Sequence, residues 1–224
     1  MKKSIIKKLF IRLCKILGYE IIDQNNFTSP TLGRVLNENL STINKKSIVL
    51  PLGEVNITRK IKSIMILFRT NSNIEIWDQN KKRLFEQPKI EYSIRSINSL
   101  IKSINFCQIK YPNLKIKTII IEDHSNDENL AKIKKLIDGK NIEILSLNHK
   151  NFEDKIQKQK TKETFSNLAS LLQSFEIGKE VGDDLIFFTE DDYLHTETML
   201  EEMVISYERI SSQIGKDIFM CPSD

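Results

Sequence analysis

The sequence predicts an α/β protein built on an open, mostly parallel sheet with helices on both faces, and three observations predict it. Four segments rich in apolar residues, Ile64–Leu67, Ile116–Ile121, Ile142–Leu147 and Leu185–Phe188, are too short for helices and read as strands, the first and last of them as continuous apolar runs. Between them apolar residues recur at three- and four-residue steps, so strand and helix alternate, as in parallel strands joined by right-handed crossovers. Two of the segments end in carboxylates, Glu122 with Asp123 and Glu190 with Asp191 and Asp192, at the end of the sheet where open α/β folds bind ligands.

Each element has its own signature. Lys2, Lys3, Lys7, Lys8, Arg12 and Lys15 interleave with Ile5, Ile6, Leu9, Phe10, Leu13, Ile16 and Leu17 as a basic amphipathic helix, which Gly18 ends. Such a helix suits an anionic membrane surface, or packs its apolar stripe on the domain. Residues 23–47 read as an irregular arm with a short helix around Leu32–Leu40, and Ile48–Leu50 as a short strand closed by Pro51 and Gly53. The first core strand is Ser63–Phe68, with Arg69, Thr70 and Asn71 at its carboxyl end; Asn73–Lys89 reads as a strand or hairpin hung from the sheet, and its Trp77 suits packing more than stacking on a base or sugar. Ile94, Ile97, Ile101 and Ile104 form one helix face, terminated by Pro112.

After the second strand, Ser125, Asn126 or Asp127 caps a helix with face Leu130, Ile133 and Ile137 and end Gly139. Residues 148–163, with five lysines, read as a loop or frayed surface helix. Phe165, Leu168, Leu172 and Phe175 restore a helical stripe that Gly178 is expected to end. Thr196 is the expected N-cap of a helix burying Leu200, Met203, Val204, Tyr207 and Ile210, and Lys216–Cys221 is expected to be a further strand. A strand followed so soon by the last residue, Asp224, reads as a chain cut within a domain. The expected organisation is an N-terminal helix and arm over 1–60 and one α/β domain over 61–224.

Composition narrows the function classes. The 224 residues are 40% apolar, enough for a core. Three cysteines, Cys14, Cys107 and Cys221, have no metal-ligand spacing and point to a reducing, cytoplasmic setting, with Cys107 a buried filler. A net charge of +4 without interleaved aromatics argues against nucleic acid as a partner. No apolar run is long enough to span a bilayer.

The two acidic strand ends carry the chemistry. Carboxylates crowded at one point need a cation, and a divalent ion there would neutralise the phosphates of a nucleotide. Because the later group is all oxygen and no Cys or His cluster adjoins it in sequence, Mn²⁺ or Mg²⁺ is the expected ion. The earlier pair suits the N–H edge of a base and a ribose hydroxyl.

The motifs I-E-D-H-S-N-D at Ile121–Asp127 and T-E-D-D-Y at Thr189–Tyr193, in that order after successive strands, resemble the GT-A glycosyltransferases, specifically family 2. The resemblance covers about Ser63–Asp224. It implies a GT-A fold and transfer of a sugar, with inversion, from a nucleoside diphosphate sugar to a hydroxyl of a glycan or lipid-linked glycan. It places nucleotide binding on Arg69, Thr70, Glu122, Asp123 and Asp191, and the metal on Asp192, Asp191 and Glu190. The family's general base lies in a motif beyond residue 224, so no catalytic base is assigned; His195 is read as a capping or supporting residue. In this chain His124 replaces the family's glycine, and R-T-N replaces its first motif. An enzyme resting on the cytoplasmic membrane face would suit envelope-polysaccharide synthesis.

Two rivals stand beside this reading. A sugar-phosphate nucleotidyltransferase should carry a glycine-rich loop after its first strand, and Ile66–Ser72 has no glycine. A non-catalytic nucleotide-binding or scaffold domain would keep the fold without turnover.

Overall fold

The computed structural model describes residues 5–19, 21, 56–73, 87–157 and 161–221. The expected helix at 32–40, the strand at 48–50 and nearly all of the hairpin expected over 73–89 lie outside these residues. In chain order the elements are α1 (Ile5–Ile16), β1 (Ser63–Thr70), α2 (Lys89–Lys110), β2 (Lys115–Glu122), α3 (Asp127–Ile137), β3 (Ile142–Ser146), a single 3₁₀ turn (His149–Phe152), α4 (Lys162–Val181), β4 (Leu185–Glu190) and α5 (Met199–Ile214). They belong to two compact units, residues 61–201 and residues 1–60 with 202–224.

The unit of residues 61–201 is the expected α/β sheet. Its strands run in the order β3-β2-β1-β4, and every pairing is parallel. Right-handed crossovers to β2 and β3 put α2 and α3 on one face, and the return to β4 puts α4 on the other. The order reverses between β1 and β4, so a ligand crevice is expected beyond the carboxyl ends of those two strands.

β1 forms because its apolar run has neighbours on both sides: Ile66, Leu67 and Phe68 are fully buried, each contributing roughly 1.5–3 kcal/mol of apolar burial. Met65, Leu67, Ile119 and Ile121 pack together on the face that Ile177 of α4 covers. Burial first, and the charge of Glu201 second, push the Cys107 thiol up to about 11, so it stays protonated and acts as the expected apolar filler.

Four expectations need correction. Gly178 lies within α4 rather than at its end, because the position serves close packing: a Cβ there would stand 3.0 Å from Ile186 Cδ1. Gly182 caps the helix instead, donating its N–H to the Gly178 carbonyl at 3.0 Å. β4 is an edge strand among those described, so its residues are half-exposed rather than buried on both faces. Thr196 precedes α5 by a turn, its carbonyl accepting the Met199 N–H at 3.2 Å.

In the unit of residues 1–60 with 202–224, residues 216–221 form no strand. They have no ladder partner among the described residues; Asp217 instead accepts from Tyr207 Oη at 2.6 Å and Arg59 Nε at 2.9 Å, and Phe219 is exposed. Ser212 Oγ accepts the backbone N–H groups of Thr58 and Arg59, each at 3.0 Å.

Candidate functional site

Both acidic motifs sit beside the end of β1. The Asp123 N–H donates to the Thr70 carbonyl at 3.0 Å, and the Asp191 N–H donates to the Arg69 carbonyl at 3.1 Å. Each aspartate thus follows a strand that flanks β1 on one side, and strands two places apart in a sheet stand roughly 10 Å apart.

On the β2 side, Asp123 is buried and its carboxylate is surrounded. His124 Nδ1 lies 2.7 Å and His149 Nε2 3.0 Å from Oδ1, while Asn71 Nδ2 donates to Oδ2 at 3.1 Å and Ser166 Oγ donates to the same oxygen. Ser166 Oγ also lies 2.9 Å from His149 Nε2. The two imidazoles are 4.5 Å apart between centroids, and Phe165 meets His149 edge-on. His124 reaches this position with φ 58°, a left-handed conformation that costs a non-glycine residue about 1–2 kcal/mol.

Asp123, His124 and His149 each bring one donor atom within 4.8 Å of the others, and this is the group of three His, Cys, Asp or Glu donors among the described residues suited to a metal. Two imidazole nitrogens and one carboxylate oxygen form a mixed set that fits a divalent ion. Four partners fill the roughly four acceptor sites of a carboxylate, so a base N–H could bind Asp123 only by displacing one. An ion would instead replace the protons shared between Asp123 and the rings.

On the β4 side, Asp191 is also buried, and Thr70 Oγ1 and Ser93 Oγ donate to its Oδ2 at 2.8 and 2.6 Å. Lys89 Nζ donates to Asp191 Oδ1 at 2.8 Å and to Asp192. Asp192 is exposed. Lys89 is the first residue of α2, where a cation opposes the helix dipole, so its carboxylate partners rather than helix stability hold it there. Burial pulls the Lys89 pKa down, but the charges and hydrogen bonds of Asp191 and Asp192 outweigh it and hold the pKa above the ordinary lysine value.

The remaining expected site residues are occupied by the protein. Arg69 pairs with Glu190 and donates from Nη1 to Asn167 Oδ1 at 3.0 Å and Ser170 Oγ at 3.1 Å, so Glu190 turns toward Arg69. Glu122 accepts the Ser125 N–H and tightens the turn that presents His124. Of the three residues expected to ligate the ion, Asp191 and Asp192 therefore meet around a lysine, and Glu190 faces elsewhere. The backbone N–H of His195 donates to Ser99 Oγ at 2.9 Å, and the ring Nε2 is buried with no partner among the described residues.

Sequence reasoning missed His149, Ser166, Lys89 and Ser93. His149 had a signal, since it follows the third strand at the same end of the sheet. Ser93 is a polar residue on the apolar stripe of a helix. Lys89 had none.

No protein-family model matches the chain, and no curated protein matches it either. The sheet and the Asp-His-His group are consistent with a GT-A-like fold carrying a candidate divalent-metal centre.

Proposed function

We propose that the protein is a metal-dependent glycosyltransferase that moves a sugar from a nucleoside diphosphate sugar to a hydroxyl of a glycan or lipid-linked glycan at the cytoplasmic face of a membrane. The observation that carries the reading is the placement of Asp123 and Asp191 on either side of the last residues of β1, within the span of one nucleotide, at the point where strand order reverses.

In this reading Asp123, His124 and His149 hold the ion. Of the two expected ions Mn²⁺ suits them better, because Mg²⁺ favours an all-oxygen octahedron. A bound ion supplies Lewis-acid neutralisation of the diphosphate that departs. Asp191 and Asp192 offer acceptors to hydroxyls of the donor, and Thr70, Ser93 and Lys89 fix Asp191 for that task. Arg69 and Glu122 hold the strand ends in register with their loops. The family 2 resemblance assigns the opposite polarity, with base on Asp123 and ion on Asp191 and Asp192.

The test is titration of fluorescent nucleoside diphosphates with and without Mn²⁺, followed by assay of nucleoside diphosphate release from a panel of nucleotide sugars. Linked Mn²⁺ and nucleotide affinity, lost at least tenfold in His149→Ala and little changed in Asp192→Ala, supports an ion held by Asp123, His124 and His149. The reverse sensitivity supports the polarity of the resemblance. Pyrophosphate release from a nucleoside triphosphate and a sugar phosphate would show a nucleotidyltransferase instead, and nucleotide affinity indifferent to Mn²⁺ would sink the metal-dependent reading.

A further inference from the structure

The α1 helix presents an apolar face that the described chain leaves uncovered. None of its residues is buried, and Ile5, Leu9, Leu13 and Ile16 are 80, 69, 51 and 74% exposed. Ile5, Ile6, Leu9, Phe10, Leu13, Ile16 and Leu17 fall on one arc of about 140° at 100° per residue, and Lys7, Lys8, Arg12 and Lys15 fall on the rest. No acidic residue occurs before Glu20.

The helix ends at Gly18, which takes φ 76°, and Tyr19 folds back with its N–H on the Cys14 carbonyl at 2.8 Å and its ring exposed. Twelve residues make a rod about 18 Å long, too short for the roughly 30 Å of a bilayer core. No helix among the described residues is long and apolar enough to cross a membrane.

We propose that α1 lies in the plane of an anionic lipid bilayer, with its apolar arc among the acyl chains near the headgroups and its four cations against lipid phosphates. Charge decides the occupant. A second copy of α1 would bring four cations against four, with no carboxylate on the helix to relieve them, whereas an anionic surface complements every charge on it. The exposed Tyr19 ring stands at the depth where aromatic side chains favour the interface. Lipid binding by α1 does not depend on transferase activity in the sheet domain.

The test uses the full chain and sedimentation with vesicles of pure phosphatidylcholine or of phosphatidylcholine mixed with phosphatidylglycerol. Binding to the mixed vesicles, weakened at least tenfold on pure phosphatidylcholine and by high salt, is the expected result. Leu9→Glu with Leu13→Glu abolishes it. Replacing Lys7, Lys8, Arg12 and Lys15 together by Gln weakens it on the order of a hundredfold or more. Both variants should keep the thermal midpoint of the parent, since the side chains changed are exposed. Binding without lipid-charge preference, binding that survives the two glutamates, or a dimer by light scattering that Leu9→Glu dissolves in a chain that ignores vesicles would each overturn the proposal.

Discussion

The Nζ of Lys89 lies 2.8 Å from Oδ1 of Asp191, and both side chains are largely withdrawn from water. Among the described residues, removing the lysine leaves the buried carboxylate with the Thr70 and Ser93 hydroxyls as partners. Lys89→Met is therefore expected to destabilise the fold by on the order of 3 kcal/mol, measured by urea unfolding. Asp192→Asn, at the exposed end of the same contact, should cost less than about 1 kcal/mol. Equal losses in the two variants would show that the burial of Asp191 does not set the cost.

The left-handed His124 predicts an inversion of the usual order of glycine and alanine. His124→Ala keeps the backbone conformation that disfavours L side chains, whereas His124→Gly relieves it, so the glycine variant should be the more stable by about 1 kcal/mol. Both should lose Mn²⁺ affinity, read by isothermal titration, because each removes one nitrogen of the Asp-His-His group. A glycine variant no more stable than the alanine variant would mean that the turn is not strained.

Burial lowers the pKa of His195 below the ordinary value. The folded chain therefore holds this ring neutral at a pH where the unfolded chain protonates it. The stability this contributes is full above about pH 6.5, the unfolded value, and is lost as pH falls toward the folded pKa. His195→Gln should flatten that part of the unfolding free energy profile relative to the parent. A profile unchanged by the substitution would remove His195 as its source.

At Gly182 a Cβ would stand 2.4 Å from the Gly178 carbonyl oxygen, and backbone at that distance cannot move aside cheaply. Gly182→Ala should cost about 1–3 kcal/mol in thermal or urea unfolding. Gly178→Ala meets only side-chain ends and should cost less. The opposite ranking would count against this packing of α4 on the sheet.

What the sequence made legible follows from where each signal comes from. β1 and β2 announce themselves because strand segments buried on both faces read as continuous apolar runs, so Ile64–Phe68 and Ile119–Ile121 need no tertiary knowledge to find. Arg69 and Thr70 join β1 through ladder pairing with Ile121 and Glu122, which hydropathy does not report. Lys216–Cys221 misleads for the converse reason, since a local pattern cannot supply a partner strand. Asp123 and Asp191 were visible as the first residues past strand ends. Ser166, which follows Asp123 by 43 positions, was not, because only the crossover to α4 brings it there, and His149, just past β3, needed the β2–β3 pairing to be tied to Asp123.

The order of strands also sets a timetable. β1 can pair with β2 once the chain has run about fifty residues past it, since Ile64 faces Ile116, but its other neighbour arrives with Leu185. During synthesis the half of the crevice around Asp123 can therefore assemble while the strand that brings Asp191 is still inside the ribosome. Until β4 docks, the open edge of β1 is the surface on which a nascent chain would be most open to aggregation or to chaperone capture.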